Sequence, residues 1–177
     1  MNELRLYIPK PEDGWFYAKM MTDPATMAYN APWFPPDGCI PEPEAEWEDM
    51  QKEWIGHAPK RFYAFLQRIS DGVFVGDVNY HESSVPGRYD MGIVIHAPER
   101  GKGYGKQGLL LLVHRAFAVD GIPLLCNDFE TTRSAACRIH LNAGFREVGR
   151  ENGIIHLEYK REEYLKALKD IGSSPKM

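Results

Sequence analysis

The sequence predicts one α/β domain (α+β in layout), with a mixed, largely antiparallel central sheet of about six to seven strands and helices on both faces. Three observations lead there. Alternating apolar segments joined by turn residues fill much of the first half of the chain. A strand, an amphipathic helix and a second strand follow over residues 89–130. A last hairpin and a charged helix close the sequence. The strand–helix–strand unit requires a right-handed crossover and a parallel pair, whereas everything before it reads as antiparallel.

Each element has a local cause. Leu4, Leu6 and Ile8 alternate with Glu3, Arg5 and Tyr7, a half-buried first strand that Pro9 ends. A short helix is expected from Pro11 to Met21, stopped by Asp23-Pro24. Residues 29–43 are proline-rich and read as a loop containing Trp33, Phe34 and a Pro35-Pro36-Asp37-Gly38 turn. A helix from Pro43 to Ile55 places Trp47, Met50 and Trp54 on one stripe. Arg61–Ile69 and Val73–Glu82 are strands joined through Ser70-Asp71-Gly72. Tyr89–His96 adds a third strand to this meander, with Met91, Ile93 and Ile95 on one face. The next helix runs to Val119, and its Leu109, Leu112, Val113, Ala116 and Phe117 repeat at helical spacing until Gly121. Leu124–Glu130 is a strand and Ser134–Ala143 a short helix closed by Gly144. Phe145–Gly149 and Ile154–Lys160 form a hairpin around Asn152-Gly153, and Glu162–Asp170 is the terminal helix.

Composition narrows the class. The chain has 177 residues, 44% hydrophobic and 26% charged, which suits a single domain spanning residues 1–177. Its net charge of −4 argues against a nucleic-acid partner, since such modules carry a broad basic face. No apolar run is long enough for a transmembrane helix, and Met1-Asn2-Glu3-Leu4-Arg5 lacks signal-peptide organisation, so no membrane association is expected. Cys39, Cys126 and Cys137 form no CxxC pair, and the six histidines show no metal-ligand spacing. Neither a metal site nor a disulfide framework is expected, and a reducing cytoplasmic setting is the simplest reading.

The chemistry concentrates in Arg100-Gly101-Lys102-Gly103-Tyr104-Gly105, between a strand and the amphipathic helix. Glycines let the backbone turn tightly and approach a ligand, and a helix N-terminus offers unpaired N–H groups to phosphate oxygens. Arg100, Lys102 and Lys106 add positive charge at that point. A dinucleotide fingerprint needs G-x-G-x-x-G, and the nucleotide-hydrolase loop needs G-x-x-x-x-G-K-[ST]; neither spacing is present. A plain glycine-rich helix cap is the bland reading.

The hexapeptide matches the [Q/R]-x-x-G-x-[G/A] pyrophosphate loop, and on it the chain resembles the general N-acetyltransferase (GNAT) superfamily. Leu4-x-Leu6, Pro11-Glu12-Asp13 and Met21–Met27 resemble the opening of the branch that acetylates ribosomal-protein N-termini, a look shared with spermidine and antibiotic acetyltransferases. Gly92–His96, Ala143-Gly144-Phe145 and Glu158–Tyr164 resemble the family's fourth strand, its signature after the short helix and its closing strand.

The resemblance implies an enzyme that transfers an acetyl group from acetyl-CoA to a primary amine, on a protein N-terminus or a small molecule, with no metal. It implies that Ile93, Val94 and Ile95 pair through their backbone with the pantetheine arm. It places the pyrophosphate on Arg100, Gly101, Lys102, Gly103, Tyr104, Gly105 and Lys106. Arg133 stands where the family often has Asn, and is expected to reach a cofactor phosphate. Asp128 falls where some members carry a carboxylate base, with Glu82, Asp90 and Glu130 as rivals. His140 stands in place of the family's Tyr and is the expected acid for the leaving thiolate, against a packing role. Trp33 and Phe34 are expected acceptor walls with Tyr80 and His81, while Trp47 reads as core. Glu42, Glu44, Glu46, Glu48, Asp49 and Glu53 read as a solvated helix face that could also steer a cationic amine. Family members often dimerise, so a homodimer is expected. The alternative is a non-catalytic acyl-CoA-binding module on the same fold.

Overall fold

The computed structural model describes residues 3–172, and they form one mixed seven-stranded sheet. The strands are β1 (Leu4–Tyr7), β2 (Arg61–Arg68), β3 (Phe74–Glu82), β4 (Tyr89–Ile95), β5 (Leu124–Glu130), β6 (Arg146–Glu151) and β7 (Ile154–Lys160). The helices are α1 (Gly14–Met21), α2 (Pro24–Met27), α3 (Pro43–Glu53), α4 (Tyr104–His114), α5 (Ser134–Ala143) and α6 (Arg161–Gly172). Helix α4 runs on into a π turn, Arg115–Val119.

Strand order is β1-β2-β3-β4-β5-β7-β6, and every pairing is antiparallel except β4 with β5. Most expected helices and strands recur within a residue or two of their boundaries, but Pro11–Asp13 is a 3-10 turn before α1, α2 follows Asp23-Pro24 where only a stop was expected, and β6 starts at Arg146, after a buried Phe145. The long helix reaches Val119 as foreseen, but its last turn widens to π geometry.

Helices cover both faces because β2 is apolar on both. Phe62, Ala64 and Leu66 point into a core with Leu109, Leu112, Val113 and Phe117 of α4 and its extension. Tyr63 and Phe65, on the opposite face, join Phe16, Met20 and Trp47 of α1 and α3. Trp47 is core as foreseen, its indole N–H donating to the Pro11 carbonyl at 2.9 Å. Burying one such large side chain contributes roughly 1.5–3 kcal/mol, so both layers hold their helices on the sheet.

The sheet divides where β4 meets β5. The two pair only at Tyr89↔Leu125 and Asp90↔Cys126. Beyond that point β5 stays with β7 along its whole length, from Leu124↔Lys160 to Glu130↔Ile154. Strand β4 stays with β3, through Val78↔Ile93, Asp77↔Val94 and Gly76↔Ile95. A wedge therefore opens between β4 and β5, and the outer backbone edge of residues 91–95 has no strand beside it. No helix among the described residues is long and apolar enough to cross a membrane.

Candidate active site

Two cavities meet at this wedge and share the wall Ile93–Ile95. One, of about 570 Å³, lies over the start of α4 and is lined by Gly101, Gly103, Gly105 and Lys106. The other, of about 500 Å³, lies between the diverging strands, lined by Asn79, Gly92, Asn127, Asp128 and His140. Tyr29 and Arg133 border both. A groove of about 560 Å³ beside Trp15 and Trp47 contains no part of the hexapeptide.

The hexapeptide takes the shape its glycines allow. Gly101 and Gly103 sit at φ +78° and +83°, in the left-handed region, and a Cβ at either would meet no atom within 4 Å. Backbone conformation, not crowding by the protein, is what requires glycine there. Gly103 is the N-cap of α4 and no side chain caps the helix, so its first N–H groups face the cavity as an anion site.

The positive residues behave differently from one another. Arg100 donates to the carbonyls of Ile95 (3.0 Å), Ala25 (2.8 Å) and Thr26 (2.9 Å). Three of its five N–H donors go to backbone oxygens, so it clamps the loop to β4 and α2, while it still borders the first cavity. Lys102 donates to Glu99 at 2.9 Å and lies outside the cavity wall. Lys106 is exposed, borders the cavity and has no ion-pair partner among the described residues, so it is the lysine positioned for an anion. Tyr104 turns its ring into the core, its hydroxyl accepting from Arg68 at 3.3 Å, and can serve a ligand only through its backbone. Arg133 lies over the rings of Tyr29 (5.2 Å) and Phe129 (5.5 Å), with Glu130 at 3.8 Å. It occupies the boundary between the cavities.

Ile93 and Ile95 pack on the α4 core while their backbone borders the wedge, so side chain and main chain do separate jobs. An unpaired strand edge holds donors and acceptors spaced for an extended amide-bearing ligand.

The two proton-transfer candidates are committed elsewhere. Asp128 borders the second cavity but accepts from Arg88 at 3.2 Å and lies 3.2 Å from His156. His140 is 1% exposed, with Nδ1 at 2.8 Å from the Ala136 carbonyl and Nε2 at 2.9 Å from the Asn127 amide. A carbonyl can only accept, so Nδ1 carries the proton and Nε2 accepts from Asn127. Burial pushes the imidazole pKa down. In this arrangement the one N–H of the ring is held by the Ala136 carbonyl and Nε2 carries no proton for a thiolate, so the acid role is corrected to one of packing and orientation.

The acceptor residues also separate. Trp33 is 65% exposed at the rim of the second cavity, whereas Phe34 is not part of its wall. Tyr80 is corrected outright: it is fully buried on the α4 side, stacked on Phe62, with its hydroxyl on Asp120. His81 packs edge-on against Trp54 opposite Asp90, outside the wall. Tyr29, Asn79 and Asn127 were missed. Strand alternation would have found Asn79, two residues from His81 on the same face. Tyr29 belonged to the same aromatic loop as Trp33.

Comparisons with known proteins agree with this geometry. A family model described as an acetyltransferase (GNAT) domain matches residues 3–146. No curated protein matches the chain. The structure of a spermidine N-acetyltransferase from Vibrio cholerae, in complex with CoA and spermine, superposes with a TM-score of 0.76 at 18% identity, covering 93% of this chain and 99% of that one. A GNAT-family acetyltransferase from Bacillus anthracis gives 0.72 at 15% identity, covering 90% and 96%.

Proposed function

The chain belongs to the GNAT acetyltransferase family and is an N-acetyltransferase; on that premise we propose how its two cavities divide the reaction. Acetyl-CoA occupies the first, with its pyrophosphate on the N–H groups at the start of α4 and beside Lys106. Its pantetheine arm runs along the open edge of β4, on the backbone of Ile93, Val94 and Ile95, and delivers the thioester to the junction at Tyr29. A backbone N–H of β4 meets the charge that develops on the thioester oxygen. The amine enters the second cavity, past Trp33, and attacks from the side of Asn79 and Asn127. Holding the two reactants in one wedge supplies much of the rate by orientation.

One observation carries this reading: an unpaired strand edge leads directly into a left-handed glycine turn and an uncapped helix. The likeness of residues 4–27 to the ribosomal-protein branch supports a protein N-terminal amine as acceptor. The Vibrio cholerae enzyme crystallised with spermine supports a polyamine. A homodimer follows from the family resemblance, and free Cys39, Cys126 and Cys137 suit a cytoplasmic setting.

A second reading, an acyl-CoA-binding module without turnover, is favoured by the commitment of both Asp128 and His140 to internal partners. Isothermal titration with acetyl-CoA, with ATP and NAD as controls, tests the cofactor groove. Saturable binding of acetyl-CoA alone is expected. Turnover with peptide N-termini and polyamines then separates enzyme from binding module, and a folded protein that ignores acetyl-CoA refutes the assignment of the first cavity.

A further inference from the structure

Asp77 is an acid with half of its hydrogen bonding missing. It is 2% exposed, and its Oδ2 accepts from the Tyr63 hydroxyl at 2.8 Å. Among the described residues no donor meets Oδ1. A buried carboxylate oxygen without a donor is costly, and such groups persist where something else uses them.

Its position explains what that use is. Asp77 pairs directly with Val94, and Asn79 with Gly92, so these four side-chain positions share one face of the β3–β4 ladder. Asn79, Gly92 and Val94 all line the second cavity. Asp77 does not itself line that cavity; it is the ladder position immediately behind Asn79 and beside Val94, which do. Gly92 places no side chain across that floor, and a Cβ there would come within 2.8 Å of the Asn79 amide.

We propose that Asp77 is the proton acceptor for the acceptor amine, taking a proton from its ammonium form through water that enters behind Asn79 at the inner end of the second cavity. The inference rests on the assignment of that cavity to the amine. The acceptor class is a primary alkylamine that arrives as a cation. One proton of R–NH3⁺ passes to the Asp77 carboxylate. The freed lone pair attacks the thioester carbon, the C–N bond forms and the C–S bond breaks. A second proton leaves nitrogen for the departing thiolate, the third stays on the amide, and Asp77 returns its proton to solvent.

The surroundings poise the group for this. Burial pushes its pKa up to about 7, against the lowering effect of the Tyr63 bond. A base poised near the working pH combines availability with driving force. The groups that face it are Tyr63 of β2, Tyr17 of α1 with its partner Glu46 of α3, and Tyr29. Burial foremost, and then the Asp77 charge, raise the pKa values of Tyr29 and Tyr63, so both remain neutral donors at neutral pH.

The test is the pH dependence of kcat/KM in Asp77→Asn, Asp77→Glu and Tyr63→Phe, with acetyl-CoA affinity measured in parallel. We expect Asp77→Asn to lose ~10²-fold or more near neutral pH, the usual scale of general-base catalysis. Its acetyl-CoA affinity stays unchanged. Its activity recovers only towards the amine's own pKa, ~10 for an alkylammonium. Asp77→Glu restores part of the rate, and Tyr63→Phe moves the acid limb to higher pH because it removes a lowering bond. An Asp77→Asn enzyme that keeps the wild-type rate and limb overturns the proposal. So does an unmoved limb in folded Tyr63→Phe, which decides the matter even if the Asn variant fails to fold. Loss of acetyl-CoA binding by the wild type would count against the cofactor groove instead, so the two failures are distinguishable.

Discussion

Replacing Asp77 by Asn should leave the protein more tolerant of alkaline pH, and the structure sets the scale. The carboxyl is buried, and burial raises its pKa from 3.8 to about 7. The native state therefore keeps a proton that the unfolded chain has already lost. Stability from this group is fully present below the unfolded pKa and is lost as pH rises through the folded one. A rise of about three units corresponds to a ceiling of roughly 4 kcal/mol lost across that window. Water entry and relaxation reduce it, and roughly half is a reasonable expectation. Asn has no such titration, and its carbonyl can still accept from Tyr63. For a chain of this length ~2 kcal/mol corresponds to ~4–8 °C in Tm. Thermal unfolding of both proteins should therefore show the Asn variant gaining several degrees on the wild type between about pH 4 and about pH 7. Comparing the two at each pH cancels the titration of all other groups. A constant Tm difference across the window would mean that Asp77 is not a buried acid of raised pKa, and the basis for its poised role would go with it.

Two further substitutions test the site's remaining geometry. Gly103→Ala should cost roughly 1–2 kcal/mol of stability from its left-handed backbone and weaken acetyl-CoA binding at least tenfold, as the Cβ projects into ligand space. Gly105→Ala should do neither, since its Cβ would meet Ile139 at an ordinary 3.6 Å; calorimetry that finds the two variants equivalent removes the phosphate placement. His140→Phe should destabilise by about 1–3 kcal/mol, because it leaves the Asn127 amide without its partner. The pH profile of kcat should keep its shape; loss of its alkaline limb would restore the acid role.

Much of the fold was legible because periodicity reports faces. Leu109, Leu112 and Val113 at helical spacing named the buried side of α4, and two apolar runs joined by Ser70-Asp71-Gly72 marked a pair of antiparallel strands. The glycine loop was legible for a related reason: a positive φ selects glycine at the sequence level, so Gly101 and Gly103 announce their own backbone. The sheet's division is another matter. Nothing in Tyr89–Ile95 or Leu124–Glu130 says that two registered pairs will be followed by a wedge. That depends on β7 taking β5 away, and β7 lies some thirty residues further along.

Side-chain roles failed where they depended on partners brought from elsewhere. Arg100 reads as a phosphate ligand by its neighbours in sequence, and only the return of Ala25 and Thr26 shows that it also clamps the loop through the backbone. Tyr80 and His81 illustrate the same limit on one strand: adjacent residues face opposite layers, so a site cannot hold both side chains from one regular strand. Asp77 is the extreme case. In the sequence it is one acid among 25 acidic residues, on a strand whose composition gives no sign of it. Its isolation is made by Tyr63 on β2, Tyr17 on α1 and Tyr29 after α2, three separate segments that bury it and supply only one donor. A group whose chemistry consists of what is missing around it becomes visible only when the surroundings are assembled. The residues most readable from sequence are accordingly those that shape the cofactor groove, and the least readable are those that would move the proton.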